Sequence, residues 1–138
     1  MPQVQVKASA KTAFKQEIKA NGHTFVSDAP ASAGGSAVGP EPHELLLGAL
    51  GACTSITLQM YAQRKGWDLK DVTVTVTEER IDDPEHPGRA ISKISREIAV
   101  DGELTAEQVD VLKGIADKCP IHKLLSGPKL IETNISLN

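Results

Sequence analysis

The chain is poor in the residues that announce most chemistries. Aromatic side chains make up 3% of its 138 residues, and 15 Lys and Arg stand against 18 Asp and Glu. There is thus neither a stacking platform nor the basic excess that nucleic acid or an anionic bilayer requires, and neither is an expected partner. No Gly-x-Ser-x-Gly elbow, phosphate loop or dinucleotide fingerprint occurs, which removes the usual support for hydrolase and nucleotide chemistry. The opening Met1-Pro-Gln-Val-Gln-Val-Lys7 lacks a basic segment followed by an apolar one. The longest apolar stretch reads as too short and too interrupted to span a bilayer. A soluble, cytoplasmic protein is expected.

Cysteine is scarce as well. There are two: Cys53, ending the run Glu44-Leu-Leu-Leu-Gly-Ala-Leu-Gly-Ala-Cys53, and Cys119, heading Cys119-Pro-Ile-His122. Two thiols so far apart can be a redox pair, two metal ligands or two buried spectators. In the cytoplasm a permanent disulfide is disfavoured, so a Cys53–Cys119 bond would be transient, formed during turnover or sensing. A peroxide-reducing thiol must ionise, which needs a nearby cation or hydrogen-bond donors, and it needs a second thiol to resolve its sulfenic acid. The two cysteines can fill those roles. The blander reading makes Cys53 a small hydrophobe in a helix stripe. Helix fields help neither thiol, because Cys53 lies mid-helix and Cys119 near a helix C-terminus. A metal set would join Cys53, Cys119, His122 and His43. Zinc signatures, however, come as closely spaced pairs, and Cys53 has no ligand partner within four residues. The acidic stretch Asp82-Asp-Pro-Glu-His86 reads as a solvated hairpin tip.

The length predicts one domain over residues 1–138, short enough that oligomerisation can complete its core. Val4, Val6 and Ala8 alternate, Phe14 to Lys19 and His23 to Val26 flank Asn21-Gly22, and together they predict an antiparallel meander. The small-residue stretch from Asp28 to Pro40 reads as a connector rather than a lid. Pro42 to about Lys65 predicts a long helix stopped by Gly66, with Leu45, Leu46, Ala49, Leu50, Cys53, Ile56, Thr57 and Met60 as its inward stripe. Gly48 and Gly51 cost that helix roughly 1 kcal/mol each, which makes sense where another backbone or helix approaches closely. Val72 to Val76 and Ile91 to Val100 predict a hairpin with a long tip, and Thr105-Ala-Glu-Gln108 is a capping box opening a helix that ends at Cys119-Pro120. A short helical turn through Leu125 and a last strand from Leu130 to Leu137 give the order βββ-α-ββ-α-(α)-β, an α+β fold.

The segments Gly39-Pro-Glu-Pro-His-Glu44-Leu-Leu-Leu-Gly-Ala-Leu-Gly-Ala-Cys53-Thr, Arg64-Lys-Gly-Trp67 and Ala116-Asp-Lys-Cys119-Pro-Ile-His122 resemble the osmotically inducible protein C family, which includes the organic hydroperoxide resistance proteins. The resemblance implies the OsmC-like fold as an intertwined homodimer, with the long central helices of both chains packed on antiparallel sheets. It implies a thiol peroxidase acting on organic hydroperoxides or hydrogen peroxide in oxidative stress. Cys53 would be the peroxidatic and Cys119 the resolving cysteine, and their disulfide would be reduced by a dithiol such as a lipoyl protein. It implies no metal and no cofactor.

The chain departs from that pattern at two places. Peroxidases of the family carry a glutamate directly after the proline of this helix, where His43 stands here, with Glu44 one residue later. One residue on a helix is a rotation of about 100°, so Glu44, a candidate catalytic carboxylate, falls nearly opposite Cys53 on an ideal helix. The family's partner arginine lies in the N-terminal half, whereas no arginine precedes Arg64 here. Lysine is a weaker substitute for a bidentate arginine. Arg80, Arg89 or Arg96 would have to reach the thiols by another route. A non-catalytic small-molecule-binding or redox-sensing dimer is the alternative function.

Overall fold

The computed structural model describes residues 1–138 and divides into two compact units, Met1–Gly48 and Ala49–Asn138.

In the first unit, β1 (Gln5–Ala8), β2 (Gln16–Ala20) and β3 (His23–Ser27) form the expected antiparallel meander in the order β1-β2-β3. Asn21 and Gly22, both at positive φ, make the two-residue turn that pairs Ala20 with His23, the backbone that this dipeptide favours. The stretch after β3 is knitted around one buried carboxylate rather than being a loose connector. Asp28 accepts backbone N–H bonds from Ala29 at 2.8 Å, Ser36 at 3.2 Å and Val38 at 3.3 Å. Its glycines serve close backbone approach, since a Cβ at Gly35 would collide with the Ala29 carbonyl.

Helix α1 (Pro42–Lys65) has the predicted limits and crosses the boundary between the units. Gly66, at φ +70°, ends it, and the Trp67 N–H closes the last turn on the Ala62 carbonyl at 2.9 Å. By length and composition α1 is long and apolar enough to cross a membrane, which corrects the expectation that no segment is. Its own chain buries a single narrow stripe of it, Leu50, Thr54, Leu58 and Ala62, spaced by four. The predicted inward stripe is only partly right, because Leu46, Ile56 and Met60 are exposed. An almost continuously apolar helix offers two stripes, and periodicity alone does not say which one its own chain covers.

In the second unit, β4 (Asp68–Asp82) and β5 (Ala90–Glu103) form one long hairpin, longer than predicted chiefly at both ends of β4. Its register pairs Val72 with Val100, Val74 with Ile98 and Val76 with Arg96, all half-buried on one face. Gly51 lets α1 lie close to that face, since a Cβ there would sit 3.3 Å from a Val76 methyl. Gly48, read as a second close approach, has nothing within 4 Å of where its Cβ would be.

Thr105 and Gln108 make the predicted capping box of α2 (Ala106–Ala116). Leu112 and Ala116 on this helix meet Leu58 to form the core cluster, flanked by Tyr61, Trp67, Val72 and Ile98. Burying a leucine this way contributes about 2–3 kcal/mol. Pro120 then opens a short helix, α3 (Pro120–Ser126).

The last strand is not formed. Residues 128–138 pair with no strand of this chain, and Leu130, Ile131, Ile135 and Leu137 are almost fully exposed. Alternation makes a segment competent for a sheet, but a strand exists only through a neighbour that accepts its hydrogen bonds.

Candidate functional site

Cys53 projects from the middle of α1, half-buried, and Cys119 is wholly buried at the junction of α2 and α3. Although far apart in sequence, the two thiols are hydrogen-bonded to each other. The junction is built by main-chain closure: the Cys119 N–H bonds the Ala116 carbonyl at 3.3 Å, and the Lys123 N–H bonds the Cys119 carbonyl at 3.1 Å. Cys119 is thus the N-cap of α3 as well as the residue after α2. The expectation that a helix C-terminus opposes its ionisation is corrected, because the backbone N–H groups of His122 and Ile121 face its sulfur.

The two sulfurs are pushed in opposite directions. Burial raises the Cys53 thiol, and its hydrogen bond and proximity to Cys119 raise it further, against weaker help from the Ile121 N–H and the Thr57 hydroxyl. Burial also works against Cys119 as a thiolate. It is outweighed by donation from Cys53, from the backbone of His122 and Ile121 and from Thr54, so the Cys119 thiol lies below its ordinary range. As pH rises, Cys119 therefore gives up its proton before Cys53 does.

An arginine does reach this place, and it comes from the hairpin. Arg96 Nη1 donates to Thr54 Oγ1 at 3.1 Å and to the Ala116 carbonyl at 3.0 Å. Its Nη2 donates to Asp117 Oδ1 at 2.9 Å and to His122 Nδ1 at 2.7 Å. A signal that could have singled it out lies in its neighbours on the chain: Ile94, Ile98 and Val100 alternate as the inward row of β5, and Arg96 occupies the place in that row where an apolar residue is expected. Arg80 and Arg89 make no such contact with the thiol segments.

Glu44 is committed elsewhere, its Oε1 accepting the Glu41 N–H at 2.9 Å and so closing the start of α1. No group of three or more His, Cys, Asp or Glu side chains is placed to hold a metal ion. A cavity of about 220 Å³ opens beside the arginine, bounded by Leu50, Ile94, Arg96, His122 and Leu125.

Solved structures share this fold. An OsmC-like protein from Mycoplasma pneumoniae superposes with a TM-score of 0.74 at 18% identity, over 92% of this chain and 88% of its own. An organic hydroperoxide resistance protein OsmC from Legionella pneumophila gives 0.66 at 16% identity over 92% and 90%. The organic hydroperoxide resistance protein OhrB of Bacillus subtilis gives 0.59 at 21% identity over 92% and 91%. No curated protein matches the sequence. Residues 33–134, which include both cysteines and Arg96, match the family described as OsmC-like protein, and with the α+β architecture above they establish that the chain belongs to the OsmC-like family.

Proposed function

We propose that this protein is a two-cysteine peroxidase that reduces organic hydroperoxides or hydrogen peroxide in the cytoplasm, as a homodimer. One observation carries the reading: a half-buried thiol on α1 in hydrogen-bond contact with a wholly buried thiol at the start of α3. Solvent reaches Cys53 and not Cys119, which favours Cys53 as the sulfur that meets peroxide. The organic hydroperoxide resistance proteins among the solved relatives point to the same substrate class.

Starting from the reduced pair with Cys119 ionised, the first of the two to lose its proton, the steps have an order. Transfer of the Cys53 proton to Cys119 leaves a thiolate on Cys53, which attacks the peroxide oxygen and breaks the O–O bond. This gives a Cys53 sulfenic acid and an alkoxide, and the alkoxide takes the proton from Cys119 and leaves as the alcohol. The Cys119 thiolate so regenerated attacks the Cys53 sulfur, forming the disulfide and expelling hydroxide, which takes up one proton from an acid in the surrounding buffer and leaves as water. An external dithiol, such as a lipoyl protein, then returns the pair to its reduced form. The exposed Ile56 and Met60 of α1 and the unpaired apolar alternation from Leu130 to Leu137 supply surface for the dimer.

The raised Cys53 thiol favours a second reading, a redox-sensing or ligand-binding dimer whose thiols oxidise too slowly for turnover. Mixing reduced protein with near-stoichiometric cumene hydroperoxide or hydrogen peroxide separates the two. Loss of both thiols to one intrachain disulfide within seconds, abolished in Cys53→Ser and stalled at the sulfenic acid in Cys119→Ser, is the expected result. Thiols that stay reduced for minutes, or a Cys53→Ser protein that still consumes peroxide, would overturn the peroxidase reading.

A further inference from the structure

We propose that Arg96 is the positioning residue of the thiol pair, holding Thr54 of α1 and the Cys119-Pro-Ile-His122 turn in the arrangement that brings the two sulfurs together. Its four hydrogen bonds go to every segment that carries a cysteine. Thr54 directly follows Cys53, while Ala116, Asp117 and His122 bracket Cys119 on both sides. The Ala116 carbonyl is shared between Arg96 and the Cys119 N–H, so the guanidinium and the cysteine backbone are fixed by the same oxygen.

Thr54 links the arginine to the sulfur. Its hydroxyl donates to the Leu50 carbonyl at 2.7 Å, accepts from Arg96, and lies in hydrogen-bond reach of the Cys119 sulfur. A buried hydroxyl polarised by a guanidinium can turn its hydrogen to an anionic sulfur when one forms. The positive charge thereby stands one hydroxyl away from the thiolate without touching it. Asp117, which is largely exposed, balances the guanidinium from the solvent side. An ammonium in place of the fork has three donors on one nitrogen and cannot reproduce four bonds made from two separated nitrogens.

This assignment does not depend on peroxide, so it is tested without it. Glutathione disulfide is the oxidant: a protein thiolate displaces one glutathione thiolate to form a mixed disulfide, and the second cysteine displaces the other as the intrachain bond closes. Closure rates would be measured for the wild type, Arg96→Met, Arg96→Lys and Thr54→Val, with thiolate absorbance followed against pH in the same reduced proteins. Folding of each variant would be checked by circular dichroism. Arg96→Met is expected to slow closure on the order of tenfold to a hundredfold and to move the lower thiol titration to higher pH, with Arg96→Lys failing to restore either. Thr54→Val leaves Arg96 three of its partners and is expected to move the titration in the same direction, and it carries the test if Arg96→Met does not fold. A folded Arg96→Met that closes at the wild-type rate, or a Thr54→Val with an unchanged titration, would overturn the assignment. Failure of peroxide turnover alone would leave both measurements standing.

Discussion

Arg96 Nη2 lies 2.7 Å from His122 Nδ1, and because a guanidinium only donates, the imidazole nitrogen facing it must accept. The hydrogen bond thus calls for the tautomer that carries its proton on Nε2. Nitrogen chemical shifts of the imidazole in the reduced protein should show that tautomer, and a proton on Nδ1 would contradict the geometry. His122→Leu removes the acceptor from a mostly buried guanidinium and should cost about 1–3 kcal/mol in urea unfolding. His122→Asn, whose side-chain oxygen can stand near the place of Nδ1, should recover a substantial part of it.

The two apolar stripes of α1 should respond differently to truncation. Leu58 is 1% exposed and packs on Leu112 and Ala116, so Leu58→Ala should destabilise the protein by about 2–5 kcal/mol in urea unfolding. Met60 is 64% exposed, and Met60→Ala should leave the stability of a single chain within about 0.5 kcal/mol. In the proposed dimer Met60 faces the second copy, and the same substitution should weaken self-association in sedimentation experiments.

The contrast between Leu58 and Met60 marks what the sequence could say about α1. Its ends were legible because Pro42 and Gly66 act through local backbone rules. The buried face was not, because Leu46, Ile56 and Met60 are as apolar as Leu50 and Leu58, and only tertiary contact chooses between them. The Asn21-Gly22 turn and the Thr105–Gln108 capping box were equally local and equally readable. The strand from Leu130 to Leu137 was wrongly expected for the opposite reason, since a strand depends on a partner that alternation does not supply.

At the site, Cys53 and Cys119 were legible as residues, while their contact was a matter of topology. Arg96 was only one of three hairpin arginines until the β5 register placed it opposite Val76 on the inward face. Glu44 was legible as a carboxylate near the helix start and turned out to close it.

Asp28 offers a test confined to the first unit. Its buried carboxylate takes three backbone N–H groups, two on one oxygen and one on the other. Asp28→Asn keeps one acceptor oxygen and turns the other into a donor facing N–H groups, which should cost about 1–3 kcal/mol. Hydrogen exchange should read this locally, with the Ser36 and Val38 amides losing protection while those of α2 keep theirs. Uniform protection in the variant would show that the carboxylate does not hold this segment.

The opposed shifts of the two thiols fix how the reduced protein titrates. Cys119 lies below the ordinary thiol range and Cys53 above it, so thiolate absorbance should rise in two separate steps that straddle that range. The depressed value of Cys119 stabilises the reduced fold above the ordinary thiol range, and that contribution is lost as pH falls through the depressed value. The raised value of Cys53 works the other way: its contribution is complete below the ordinary range and is lost as pH rises through the raised value. Removing one sulfur should move the other predictably. In Cys119→Ser the anionic neighbour is gone but burial remains, so the Cys53 step should fall toward the ordinary range without passing below it. In Cys53→Ser the thiol donor to Cys119 is lost, and only as much of that donation as the serine hydroxyl restores will remain, so the Cys119 step should rise. A Cys53 step that does not move in Cys119→Ser would mean that the two thiols do not influence each other's ionisation, and the proton transfer that starts the proposed cycle would then lose its support.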